Sequence, residues 1–172
     1  PEITITGYPI PFTHVEIRAP KGLNISYPNS GRKSLKLTKA HLIMQVPWQI
    51  ITSTDYHDIV RWQRDVGEVK IIDTELNHEE FYLKGHGVAG LSGQLQPELL
   101  LHSKIENYQE FAGRILEEQG MSGFARSMAL SVMDAMSNKD DGTVNFDISI
   151  KDREIRVGPV YAGKTPIIFW VR

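Results

Sequence analysis

The 172-residue chain has no cysteine. That absence removes thiol nucleophiles, disulfides and cysteine-ligated zinc together, and leaves the redox compartment undecided. Charge of one sign is also missing: 19 Lys and Arg stand against 21 Asp and Glu, a net charge of −2. A broad reader of nucleic acid is usually basic and sets aromatic rings beside its cations. With an isoelectric point near 6.3 and no interleaved aromatics, nucleic acid is not an expected partner. No apolar run reaches the ~20 residues that a membrane-crossing helix needs. No basic, apolar, small-residue leader opens the sequence, so no export signal is expected and the chain reads as soluble, its compartment unassigned. Neither a fixed-period repeat nor a low-complexity tract occurs.

The most readable stretch runs from Ser103 to Ile150. Asn107 is positioned to cap a helix in which Tyr108, Phe111, Ile115 and Leu116 recur at helical spacing, and Gly120 can adopt the left-handed conformation that stops it. A second helix of about sixteen residues is expected from Ser122, since a helix of this length suits a domain and falls short of a bilayer. Phe124, Met128, Val132, Met133 and Met136 make it apolar around most of its circumference, with only Arg126 and Asp134 charged. Such a helix is expected to be covered on most sides by protein, its methionines filling irregular gaps. An exposed, Met-rich groove for a partner is the alternative.

Asp140, Asp141 and Gly142 resemble a calcium loop only superficially. With Gly142 as the loop glycine, Lys139 and Ile148 would fall on ligand positions, so the segment reads as a turn. Val144, Phe146, Ile148 and Ile150 then alternate with polar residues as a half-buried strand does. Lys151-Asp152-Arg153 turns the chain into a hairpin with Glu154–Val157, and Ile167–Val171 is expected as a last strand.

Upstream, short alternating runs around Ile3, Val15, Leu23 and Ile25 are cut by Pro9, Pro11, Pro20 and Pro28. A long strand is expected from Ser34 to Trp48. Thr54 can cap a short helix through Tyr56, Ile59 and Val60 that Gly67 closes, and Val69–Ile71 and Phe81–Leu83 read as strands around an Asn77-His78 turn. No βαβα rhythm is present. The expected class is α+β: mainly antiparallel sheet of about eight to ten strands, one short helix, and a two-helix unit before the C-terminal strands. Length suggests a single domain over residues 1–172, with residues 1–30 readable as an extended strand-rich arm.

Candidate chemistry is sparse. In Lys84-Gly85-His86-Gly87-Val88-Ala89-Gly90-Leu91-Ser92-Gly93, glycines flank His86, and Ser92 could act as a nucleophile if His86 served as its base. Gln94 occupies the second glycine position of a nucleophile elbow, and no Gly-Lys-Ser/Thr ending makes a phosphate loop. The segment therefore reads first as a flexible or bulged strand connection. His14, His41, His57, His78, His86 and His102 show no metal-ligand spacing, and His78-Glu79-Glu80 reads as a surface loop; neither metal nor cofactor is expected.

Charge is unevenly distributed: residues 1–50 carry a net +4 and residues 51–100 a net −5. The cations Arg32, Lys33, Lys36 and Lys39 form a ladder that could bind an anionic lipid or phosphate surface. Three functional classes follow. The leading one is a non-enzymatic structural or protein-interaction protein of viral or bacterial accessory type, acting through its surface on a partner or on itself as a homo-oligomer. The others are a small hydrolase or toxin-like effector using His86 with Ser92 or a carboxylate, and a binder of anionic surfaces through Arg32–Lys39.

Overall fold

The computed structural model describes residues 2–6, 12–26, 34–47, 55–79, 81–118, 120–138 and 142–170. Nine antiparallel strands lie side by side almost in chain order. They are β1 (Glu2–Thr6), β2 (Phe12–Ala19), β5 (Lys39–Pro47), β6 (Glu68–Asn77), β7 (Tyr82–Leu91), β8 (Pro97–Glu106), β9 (Val144–Lys151), β10 (Glu154–Val157) and β11 (Val160–Lys164). A separate two-stranded hairpin, β3 (Leu23–Ser26) and β4 (Ser34–Leu37), is inserted between β2 and β5. Helix α1 (Tyr56–Asp65) joins β5 to β6, and α2 (Tyr108–Glu118) and α3 (Gly123–Met136) join β8 to β9. The class is α+β with an antiparallel sheet, as the absence of a βαβα rhythm implies.

Because side chains alternate across a strand, the register sorts the sheet into two faces. One rung aligns Leu76, Leu83, Ile105 and Val144 across β6, β7, β8 and β9. The rung beside it aligns Glu75, Lys84, Lys104 and Asn145. The first face carries the core, where Leu83, Leu101, Ile105, Val144 and Phe146 meet Tyr108, Ala112 and Met133 of the two-helix unit. A small apolar void of about 20 Å³ remains between those helices and the sheet.

Several local expectations change. The strand expected from Ser34 to Trp48 is two strands, because the chain bends at Thr38, whose N–H donates to Asn77 O at 2.7 Å; β4 joins the hairpin and β5 the main sheet. Asp55, one residue after Thr54, caps α1 by accepting from His57 N–H at 2.8 Å. Asn107 does not take the extended conformation of a cap but φ of 55°, a left-handed turn that asparagine tolerates. Gly120 does end α2 as expected, with φ of 73°. Its N–H reaches Glu117 O and that of Met121 reaches Leu116 O, the paired bonds of a Schellman stop.

The glycine-rich run is no flexible connection. Its residues Lys84 to Leu91 belong to β7, which is paired along its whole length with β8, and a Cβ placed on Gly87 would lie 2.0 Å from Leu100 O. The bulge sits instead in the neighbouring β6, around Ile72 and Asp73. Residues 165–170 form no strand. They are tethered by Gln96, whose side-chain amide donates to Ile168 O and accepts from Ile168 N–H, both at 3.0 Å, imitating a strand partner. The sequence-based readings of Pro9, Pro11, Pro28, Trp48, Thr54, Glu80, Asp140, Asp141 and Val171, and of the Phe111 and Ile115 side chains, lie outside the described residues.

Candidate functional site

Two surfaces compete for attention, one polar and one apolar. The polar one is an open groove of about 470 Å³ on the solvent face of the sheet, over β6 to β9. His86, His102 and Asp147 fall on one rung there. The His86 and His102 rings are 5.6 Å apart, and His102 Nδ1 lies 2.7 Å from Asp147 Oδ1. An imidazole oriented by a carboxylate has the form of a general base. Among the described residues that line the groove, Ser103 alone carries a hydroxyl, and its side chain is buried on the opposite face, donating to Phe146 O at 2.6 Å.

Ser92 is equally out of reach. It lies past the end of β7, six residues and so roughly 20 Å along the strand from His86. Its hydroxyl oxygen accepts from the N–H groups of Gln94 and Gln96 at 3.2 Å each, closing the turn into β8. The structure thus does not bring His86 and Ser92 together. The His102–Asp147 pair is more than half exposed on both sides, where a salt bridge contributes only ~0–1 kcal/mol.

Elsewhere on the polar face two carboxylates are paired with cations. Glu16 accepts from His41 at 2.6 Å and from Arg18 at 2.7 Å, and these partners, His41 first, hold its carboxyl below the usual carboxylate range. Glu75 receives Lys84 at 3.0 Å and Lys39 at 3.7 Å, and Lys84 is the main cause of its lowered pKa. Lys39 therefore shares a carboxylate with Lys84. Lys36 lies on β4, in the other sheet, and Arg32 and Lys33 lie outside the described residues.

The apolar surface is α3. Ser122 caps it, accepting from Ala125 N–H at 3.3 Å. Only Met133 is fully buried from this helix. Phe124 is 76% exposed, Met128 55%, Val132 52% and Met136 54%. The expectation of a helix covered on most sides is thereby corrected, and the exposed Met-rich face is what the structure shows.

The two charged residues of the helix lie on its other side. Arg126 Nη1 bonds Glu117 Oε2 on α2 at 2.8 Å. Asp134 accepts from the Tyr108 hydroxyl in a short bond and from Gln109 Nε2 at 3.1 Å, and Tyr108 is the larger cause of its lowered pKa. Both charges of α3 are thus turned back onto α2, and the outward side is left to apolar and small residues. A Phe-sized side chain carries roughly 200 Å², so Met121, Phe124, Met128, Val132 and Met136 together expose on the order of 500 Å², at the top of what monomers usually show. A second apolar exposure, Phe169 at 85%, sits on the tethered tail. No described helix is long and apolar enough to cross a membrane.

No curated protein and no solved structure matches the chain. Residues 13–166 match a family described as an uncharacterized protein conserved in bacteria, DUF2125. That match spans most of the sequence, and the chain belongs to this family.

Proposed function

We propose that this protein is a non-enzymatic docking module whose working surface is the outward face of α3. The observation that carries the reading is the inversion of that helix, with Arg126 and Asp134 engaged on α2 and Phe124, Met128, Val132 and Met136 in water. Leaving that much apolar side chain hydrated is unfavourable by roughly 25 cal/mol per Å². A contiguous patch of this size is the usual mark of a surface that another body covers. The polar groove supports an enzymatic reading less well, because its imidazole and carboxylate face solvent and Ser103, the one hydroxyl among its described lining residues, turns to the opposite face.

The test is a photo-crosslinking residue placed at Val132 in cells, with Asn145 on the polar sheet face as the control position. The expected result is an adduct of one defined mass from position 132, none from position 145, and loss of the adduct when Met128→Glu is added. Equal labelling from both positions, or none from position 132, overturns the reading.

A further inference from the structure

We infer that the occupant of this face is a second copy of the chain, joined through an antiparallel two-fold contact of α3 with α3. The inference rests on the docking reading above and names its partner. Residues four apart on a helix form ridges, and two helices pack when the i±4 ridges of each enter the grooves of the other, crossing at about −50°. Phe124, Met128, Val132 and Met136 are one such ridge, and every member is exposed. The rows on either side are small: Ala125 and Ala129 on one flank, Ser127, Ser131 and Ala135 on the other.

A surface with one tall ridge between two shallow grooves is complementary to itself. Paired antiparallel about its midpoint near Leu130, it seats each ridge in the other copy's row of small residues, with Phe124 alongside Met136 of the second copy and Met128 alongside Val132. A two-fold contact also brings equivalent surfaces together, so a ridge bearing charge of one sign would repel its own image. This ridge bears none, because Arg126 and Asp134 are held on α2.

The same fact disfavours a lipid surface. An interfacial membrane helix flanks its apolar face with Lys and Arg; Arg126 is the one basic residue in α3, and it is paired with Glu117. Area sets the strength. About 500 Å² from each copy gives on the order of 1,000 Å² in total, the lower limit for a specific interface. The dimer is therefore expected to be dynamic, dissociating in the micromolar range rather than the nanomolar.

Sedimentation velocity over roughly 1–300 µM brackets that range. The expected result is a monomer-to-dimer shift for the native chain. For Met128→Glu, which would place two charges in the contact, association is expected to weaken by at least about 100-fold. Circular dichroism checks that the variant is folded, and Val132→Gln serves as a second, milder disruption. Monomer at every concentration overturns the inference, as does a dimer that both substitutions leave intact.

A separate probe shows whether the docking reading falls with it. The chain lacks cysteine, so Met128→Cys accepts a single environment-sensitive nitrobenzoxadiazole dye. A blue shift that tracks added unlabelled chain supports the self-contact. A Val132 adduct with a different protein overturns the self-contact and preserves the docking surface, whereas a dye shift only on phosphatidylglycerol vesicles, with no adduct, overturns both. No shift and no adduct removes both.

Discussion

Helices α2 and α3 are joined by one turn, yet they present their apolar residues in opposite directions. In α2, Tyr108, Ala112 and Leu116 recur four residues apart and are buried on the sheet, while Glu110 and Glu117 face outward. In α3 the same spacing of four recurs in Phe124, Met128, Val132 and Met136, and this row faces water. Spacing alone therefore identifies an apolar stripe without saying what it faces. On its other side α3 meets two polar partners on α2, Glu117 for Arg126 and Tyr108 for Asp134. A helix with apolar residues on every side can bury only part of them, and in α3 the part left in water lies opposite its hydrogen-bonded charges.

The widest separation between the two helices should come from removing one apolar side chain from each. Leu116 is 1% exposed and borders the small void beneath the helices. Leu116→Ala would enlarge that space and should cost about 2–5 kcal/mol, the range for leucine deletions in a packed interior. Urea denaturation at neutral pH measures it. A loss below ~1 kcal/mol would mean that α2 is not the anchored member of the pair.

A smaller effect is expected where the helices are linked. Tyr108→Phe keeps the ring in the core and removes the hydroxyl that Asp134 accepts from; the loss should be about 1 kcal/mol, the ordinary net value of one hydrogen bond. The pH dependence gives this substitution a signature. The Tyr108 bond, with Gln109 second, lowers the folded-state pKa of Asp134 below its ordinary value. That contribution is fully present above the unfolded value near 4 and disappears as pH falls through the folded one. Tyr108 itself is raised, chiefly by burial and then by Asp134, so its contribution is present below about pH 10 and fades as pH climbs through the folded value. Both limbs of the stability profile should flatten in Tyr108→Phe. Unchanged slopes at both ends would mean that this bond does not orient α3.

What could be read from the letters followed from short-range rules. Gly120 stops α2, Ser122 caps α3, and the Lys151–Glu154 turn closes a hairpin with Asp152 and Arg153 both at positive φ, because each depends on a few neighbouring residues. The α+β class was legible for the same reason, from alternation and the lack of a parallel rhythm. Long-range choices were not legible. Nothing local shows that the glycines of β7 lie against a neighbouring backbone, or that Gln96 tethers Ile168 from 72 residues away. His102 and Asp147 are 45 residues apart and meet only through the β8–β9 register, so the groove that holds His86 had no sequence signature. The outward turn of α3 belongs here too, since it depends on which residues of α2 face Arg126 and Asp134.

The smallest expected effect sharpens the comparison most. Phe→Ala in a core costs about 3–5 kcal/mol, but Phe124 is 76% exposed and loses few contacts when truncated. At concentrations where the chain is monomeric, Phe124→Ala should change stability by no more than ~0.5 kcal/mol, as surface substitutions do. Helix propensity acts in the opposite sense, because alanine favours the helix over phenylalanine by a few tenths of a kcal/mol. The two contributions nearly cancel, and a slight gain is as consistent with an outward ring as no change. At concentrations where copies associate, the same truncation removes a ring from both sides of the contact, so the apparent stability should become concentration-dependent in the native chain and lose that dependence in Phe124→Ala. A large loss in the dilute monomer would place Phe124 in the interior, and with it the whole row that separates α3 from α2.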